Sequence, residues 1–166
     1  MKENHMTRSQ FRDLLAGSVR ETVARLMQSS GGIAGYALLT DDDVSTLFYA
    51  ALTRSIAETT NDQDLLFSPT EWPQAAEETN FDVLSKAIGT LPMASESASK
   101  AESAFRLLVS VLAECRVEGI FDRDVFLSVL STDPGPEAEA LEEESIRQLN
   151  SLEIVTEWER FVARWS

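Results

Sequence analysis

Three consecutive aspartates, Asp41, Asp42 and Asp43, stand between two apolar runs of strand length, IAGYALL (33–39) and VSTLFYAA (44–51). Aspartate side chains hydrogen-bond nearby backbone groups and tolerate unusual backbone angles, so such a triplet bends a chain back on itself. The arrangement predicts a β-hairpin. Its apolar residues do not alternate. Tyr36, Leu38, Leu39, Leu47, Phe48 and Tyr49 would point to both faces of a sheet, which places the hairpin centrally, with cover on each side. A calcium loop starting at Asp41 would need glycine at its sixth position and glutamate at its twelfth, where the chain has Thr46 and Leu52. The triplet therefore reads as a structural turn.

Helical periodicity frames this hairpin. Phe11, Leu14, Leu15, Val19, Val23 and Leu26 recur at three- and four-residue steps over 8–30. Thr7 and Gln10 have capping-box spacing ahead of that stripe, and Gly31-Gly32 closes it. Further helices are predicted over 80–91, 99–118 and 151–165. A short one is expected to begin around Glu139 after a solvated loop. The polar segment 53–64 has room for one helical turn or none. An edge strand or extended segment is expected over 64–68, ended by Pro69, and a further strand over 124–131. The small polar stretch 93–100 reads as a loop.

Composition narrows the chemistry. Acidic side chains number 28 against 14 basic ones, a formal net charge of −14 that repels phosphate backbones and anionic lipid. Neither nucleic acid nor membrane is an expected partner; a basic protein is. His5 is the lone histidine and Cys115 the lone cysteine, which rules out a Ser-His-Asp or Cys-His arrangement in a buried site and a clustered zinc site. Cys115 falls on the apolar stripe of the 99–118 helix and reads as a small buried hydrophobe. GGIAG (31–35) has neither dinucleotide nor P-loop spacing. No cofactor and no metal is implied. The polar N-terminal stretch and the single cysteine lead to an expectation of cytoplasmic location.

Two candidate sites remain. One is a pocket near Tyr36, Tyr49, Glu71 and Trp72, in which Glu71, bracketed by Pro69 and Pro73 and next to Trp72, is the carboxylate set apart for acid–base work. Trp72 reads as a structural plug or as the wall of that pocket. The other is the acidic run Glu137, Glu139, Glu142, Glu143 and Glu144, which reads either as a solvated helix face or as a surface that docks a basic partner.

Several of these pieces together, YALLTDDDVSTLFYAA, FSPTEWP, LLVSVLAECRVEGIF, FLSVLSTD and ESIRQLN, resemble a bacterial family catalogued as domain of unknown function number 4303. The likeness spans about residues 10–160. It includes an aromatic residue at Phe67 and a Ser-Pro-x-Glu-Trp motif at Ser68, Pro69, Glu71 and Trp72. The resemblance implies a small α+β domain and carries over no catalytic residue.

The resulting expectation is one α+β domain over 1–166, frayed over 1–7. A sheet of three or four mainly antiparallel strands packs with four or five helices. The leading functional expectation is a non-enzymatic, immunity-type or accessory protein that binds a basic protein through its acidic surface. The alternative is a small-ligand binder or carboxylate-dependent enzyme. Oligomeric state is open, because Trp158, Phe161 and Trp165 on one helix face would suit either the interior or a second copy.

Overall fold

The aspartate turn forms, and it does so through a single carboxylate. In the computed structural model, which describes residues 5–73, 79–92, 99–133 and 135–166, Asp41 accepts hydrogen bonds from the Ser45 N–H and hydroxyl and from the Thr46 N–H. Burial alone would raise its pKa, but these donors outweigh burial and hold it below the usual carboxylate range. Asp42 and Asp43 are exposed. Val44 follows with φ of 52°, a left-handed conformation that costs a side chain with a Cβ about 1–2 kcal/mol. Burial of Val44 in the core offsets that strain.

The turn joins β1 (Ile33–Thr40) to β2 (Leu47–Thr53) in antiparallel register, with Tyr36 opposite Ala51 and Leu38 opposite Tyr49. The third strand, β3 (Phe126–Ser131), pairs with β1 in parallel, Tyr36 beside Leu127 and Leu38 beside Val129. Sheet order is β2-β1-β3. The sheet is thus three-stranded and mixed, which corrects the expectation of mainly antiparallel pairing. The reason lies in helix α4 (Lys100–Val117). Its 18 residues span about 27 Å. They carry the chain from the carboxyl end of β1 back to its amino end, so the next strand enters in the direction of β1.

Both faces of the sheet are covered, which accounts for the non-alternating strands. On one face Tyr36, Leu38, Tyr49, Leu127 and Val129 share a core with Phe11, Leu15 and Val19 of α1 (Arg8–Ser30), Phe81 and Leu84 of α3 (Thr79–Ile88), and Leu108, Leu112 and Cys115 of α4. The capping box of Thr7 with Gln10 starts α1, and left-handed Gly31 ends it. Burial pushes the Cys115 thiol up to about 11, so it stays protonated at neutral pH. On the other face Ala37, Leu39, Ala50, Leu52 and Phe126 meet Trp72 and, from α6 (Leu152–Trp165), Ile154, Val155 and Trp158.

Segment 54–73 departs from its expected form. Helix α2 occupies Arg54–Thr59, and the expected edge strand over 64–68 is instead a 3₁₀ turn, Gln63–Phe67, followed by a second at Pro69–Glu71. Asp62 accepts from the Asp64 N–H and the Ser68 hydroxyl donates to the Asp64 carbonyl, so local bonds satisfy a backbone that a strand would have left to a neighbour.

Helix α5 runs Pro136–Leu149, starting earlier than the expected Glu139. Pro136 has its fixed φ suited to a first helical position, and Glu137 and Glu139 in the first turn complement the helix dipole. Of the loop expected over 93–100, residues 93–98 lie outside the described residues, as do 1–4 of the expected frayed terminus. Among the described residues no helix is long and apolar enough to cross a membrane.

Candidate functional site

A strand at the edge of a sheet leaves every second N–H and C=O without a partner. On β3 those groups belong to Leu127, Val129 and Ser131, and α5 lies along them. Asn150, just beyond the helix, accepts from the Leu127 N–H at 2.8 Å and donates to the Leu127 carbonyl at 2.7 Å. Ser145 donates to the Glu142 carbonyl of its own helix at 2.7 Å, with its hydroxyl also 3.5 Å from the Val129 carbonyl. Glu142 accepts from the Ser131 N–H at 2.8 Å. Side chains of α5 and of its C-terminal cap thereby take up the edge groups of Leu127 and Ser131.

This use of Glu142 divides the acidic run. Glu144 pairs with Arg106, whose guanidinium holds its carboxyl below the usual range. Glu137 lines a separate hollow that Arg106 also lines, with Asp41 and Asp42 at the carboxyl ends of β1 and β3. Glu139, Glu142 and Glu143 instead line a groove of about 400 Å³ on the α6 side of the sheet. The run is therefore not one continuous face.

The expected pocket is divided as well. Tyr36 and Tyr49 stack at 5.5 Å on the α1 and α4 side, where Tyr36 is hydrogen-bonded to Thr22 at 2.8 Å. Burial raises the Tyr36 hydroxyl far above its ordinary pKa. Trp72 lies on the opposite side, buried, its indole N–H donating to the Leu65 carbonyl at 2.7 Å. It is a plug, seated over Gly35 of β1. Glu71, next to it, is exposed and lines the groove that contains Glu139, Glu142 and Glu143. The structure thus unites Glu71 with part of the acidic run and separates it from the tyrosines.

The groove is built from both sequence features. Ser68, Pro69, Thr70 and Glu71 form one wall, α5 the other, and Phe67, Phe126, Trp158 and Phe161 supply aromatic surface. Phe67 sits edge-on to Phe126 at 5.2 Å and tilted against Phe161 at 5.5 Å, so these rings fix one another. Ser128, in register with Ala37, also lines the groove; it is 2% exposed and its hydroxyl has no hydrogen-bond partner. No Lys, Arg or His is among the described residues that line it.

Burial raises the Glu142 carboxyl to about 7; the Ser131 N–H opposes the rise and Glu139 adds to it. A buried polar group held short of its hydrogen bonds and an acid titrating near neutrality are features that functional sites concentrate. Among the described residues no grouping of three or more His, Cys, Asp and Glu is placed to hold a metal ion. The chemistry on offer is acceptance of a cation with an apolar body, or movement of one proton at Glu142.

Raising an acid's pKa on folding means that the folded state holds a proton the unfolded chain releases. Stability from this source is full below about 4.5 and declines as pH rises towards 7. Glu142→Gln keeps an acceptor for Ser131 and removes the charge. It is expected to stabilise the protein by roughly 1–2 kcal/mol at pH 8, discounted for partial exposure, and to be neutral near pH 4.5. Thermal melts across that range check it; equal effects at both ends would refute the assignment.

No local sequence pattern joins Glu142, Ser128, Trp158 and Phe161 into one site. One signal was present, since Glu142 stands four residues before buried Ile146 and so shares a helix face with it.

A family model described as Domain of unknown function (DUF4303) matches residues 15–151. No curated protein matches the chain, and no solved structure does.

Proposed function

Because the chain belongs to this domain-of-unknown-function family, whose description names no activity, we propose its function from the groove: a cytoplasmic, bacterial, non-enzymatic module of immunity or accessory type that docks a basic region of another protein. The observation that carries this reading is four carboxylates, Glu71, Glu139, Glu142 and Glu143, around an aromatic-walled groove with no basic residue among its described lining. Several carboxylates elsewhere are paired with arginine, Glu144 and Glu102 with Arg106, Asp122 and Asp124 with Arg54. A net charge of −14 extends the attraction beyond the groove and favours fast, salt-sensitive encounter with a cationic partner.

Titration of isotope-labelled protein with short Lys- and Arg-containing peptides tests the proposal by NMR. Shifts should cluster at Ser128, Glu139, Glu142 and the Trp158 indole, and affinity should fall as salt rises from 20 to 200 mM, on the order of the Debye screening change. Shifts scattered over the surface, or equal binding of acidic peptides, would overturn it.

The alternative, a small-ligand binder or carboxylate-dependent enzyme, draws on the near-neutral Glu142 facing the groove that Glu71 also lines. Binding of small amines with no response to basic peptides would favour it.

A further inference from the structure

The groove's chemistry specifies more than positive charge. Four aromatic residues, Phe67, Phe126, Trp158 and Phe161, stand among its apolar lining, and two of its polar groups are short of partners. Ser128 has an unpaired hydroxyl, buried at the strand. Glu142 has Oε1 tied to the Ser131 N–H, which leaves Oε2 for a ligand. A flat cation with several donors, able to lie against rings, satisfies all of this at once. A guanidinium does so; an ammonium is a compact, strongly hydrated point charge with no flat face. A guanidinium–ring contact of this kind already exists nearby, where the Arg147 guanidinium lies 5.3 Å from the Trp158 ring centroid.

We infer that the groove receives a single arginine side chain of the basic partner, against its aromatic rings and with Ser128 and Glu142 as acceptors, and that Glu142 gives its proton to solvent as the guanidinium enters. This inference rests on the docking function proposed above and names its ligand. Its logic is electrostatic. The charged groups lining the groove with Glu142 are Glu139 and Glu143 from its own helix and Glu71 from the facing turn, all acidic. Strand β3 offers Glu142 only the Ser131 N–H, and the α6 residues lining the groove, Trp158, Phe161 and Val162, carry no charge. Empty, the site favours a neutral Glu142, because burial penalises its charged form and Glu139 adds to that penalty. An arriving cation reverses that balance, so binding and proton release are coupled.

The test uses the intact protein and two blocked amino acids, N-acetyl-arginine amide and N-acetyl-lysine amide, titrated by NMR from pH 5.5 to pH 8. Arginine should bind more tightly than lysine at every pH. Its affinity should rise about tenfold per pH unit below the Glu142 transition and level off above it, the slope expected for one released proton. Glu142→Gln should abolish that slope while the protein remains folded by melt. Ser128→Ala should weaken arginine about fivefold, the worth of one hydrogen bond. Glu144→Gln, outside the groove, should change neither. Arginine binding in the groove with no pH slope, or with lysine equal to arginine, would overturn this inference and leave the docking reading standing. Absence of both blocked amino acids and of basic peptides from the groove would overturn both.

Discussion

Asn150→Leu is expected to destabilise the protein by about 3–4 kcal/mol, the largest effect of any single polar substitution proposed. The side chain is similar in size, so the loss comes from hydrogen bonds. Asn150 accepts from the Leu127 N–H and from Arg116 Nη2, and donates to the carbonyls of Leu127 and Ile146. Leucine leaves both edge groups of Leu127 unpaired in a part-buried place and removes the second donor to the Ile146 carbonyl, which keeps its bond from the backbone N–H of residue 150. Arg116 is affected in turn. Its guanidinium also donates to the carbonyls of Val125, Asp122 and Leu149, so Asn150 and Arg116 together tie α4, β3 and the end of α5 into one network. Burial lowers the pKa of Arg116, a sign of how far this charge has been drawn from water. The melting temperature should drop by roughly 10 °C, with faster amide exchange at Leu127 than in wild type. A loss under about 1 kcal/mol would show that water replaces the amide at the strand edge and that α5 is not its cap.

Gly35→Ala is expected to cost about 3 kcal/mol through overpacking. A Cβ on Gly35 would stand 2.5 Å from Cη2 and 2.7 Å from Cζ2 of Trp72. Neither side yields easily. Gly35 is in the central strand, paired on both edges, and the indole is pinned by its bond to the Leu65 carbonyl. Because the clash is with the six-membered ring of the indole, Trp72→Phe should remove the offending atoms. The double variant should then lose much less than the sum of the single ones, a coupling that a denaturant-unfolding cycle reads directly. Additive losses would mean that Gly35 is needed for its backbone and not for the room it leaves. Together the two variants test the covers of the sheet, one along its edge and the other on its face.

Local structure in this chain is legible where local forces produce it. The stripe from Phe11 to Leu26, the Thr7–Gln10 box and the Gly31 stop depend on groups within a few residues of one another, and α1 appears over the expected span. The same holds for the hairpin, where Asp41 supplies the turn from within its own sequence neighbourhood. Apolar character without alternation in 33–51 correctly demanded cover on both faces. The expected strand over 64–68 fails for a related reason, since Leu65, Leu66 and Phe67 have strand-like composition and yet Asp62 and Ser68 close local bonds that coil them.

What periodicity established was most of the stretches that become helix or strand, and that Cys115 turns inward. Tertiary structure alone decided that β3 runs parallel to β1, because the direction depends on where α4 delivers the chain. It alone separated Tyr36 and Tyr49 from Trp72, since side chains on one strand pair project to opposite faces and only packing chooses which face meets which helix. It also selected Glu142 from five similar glutamates, because the free N–H that holds it belongs to Ser131, a residue whose exposed edge exists only once the sheet has formed.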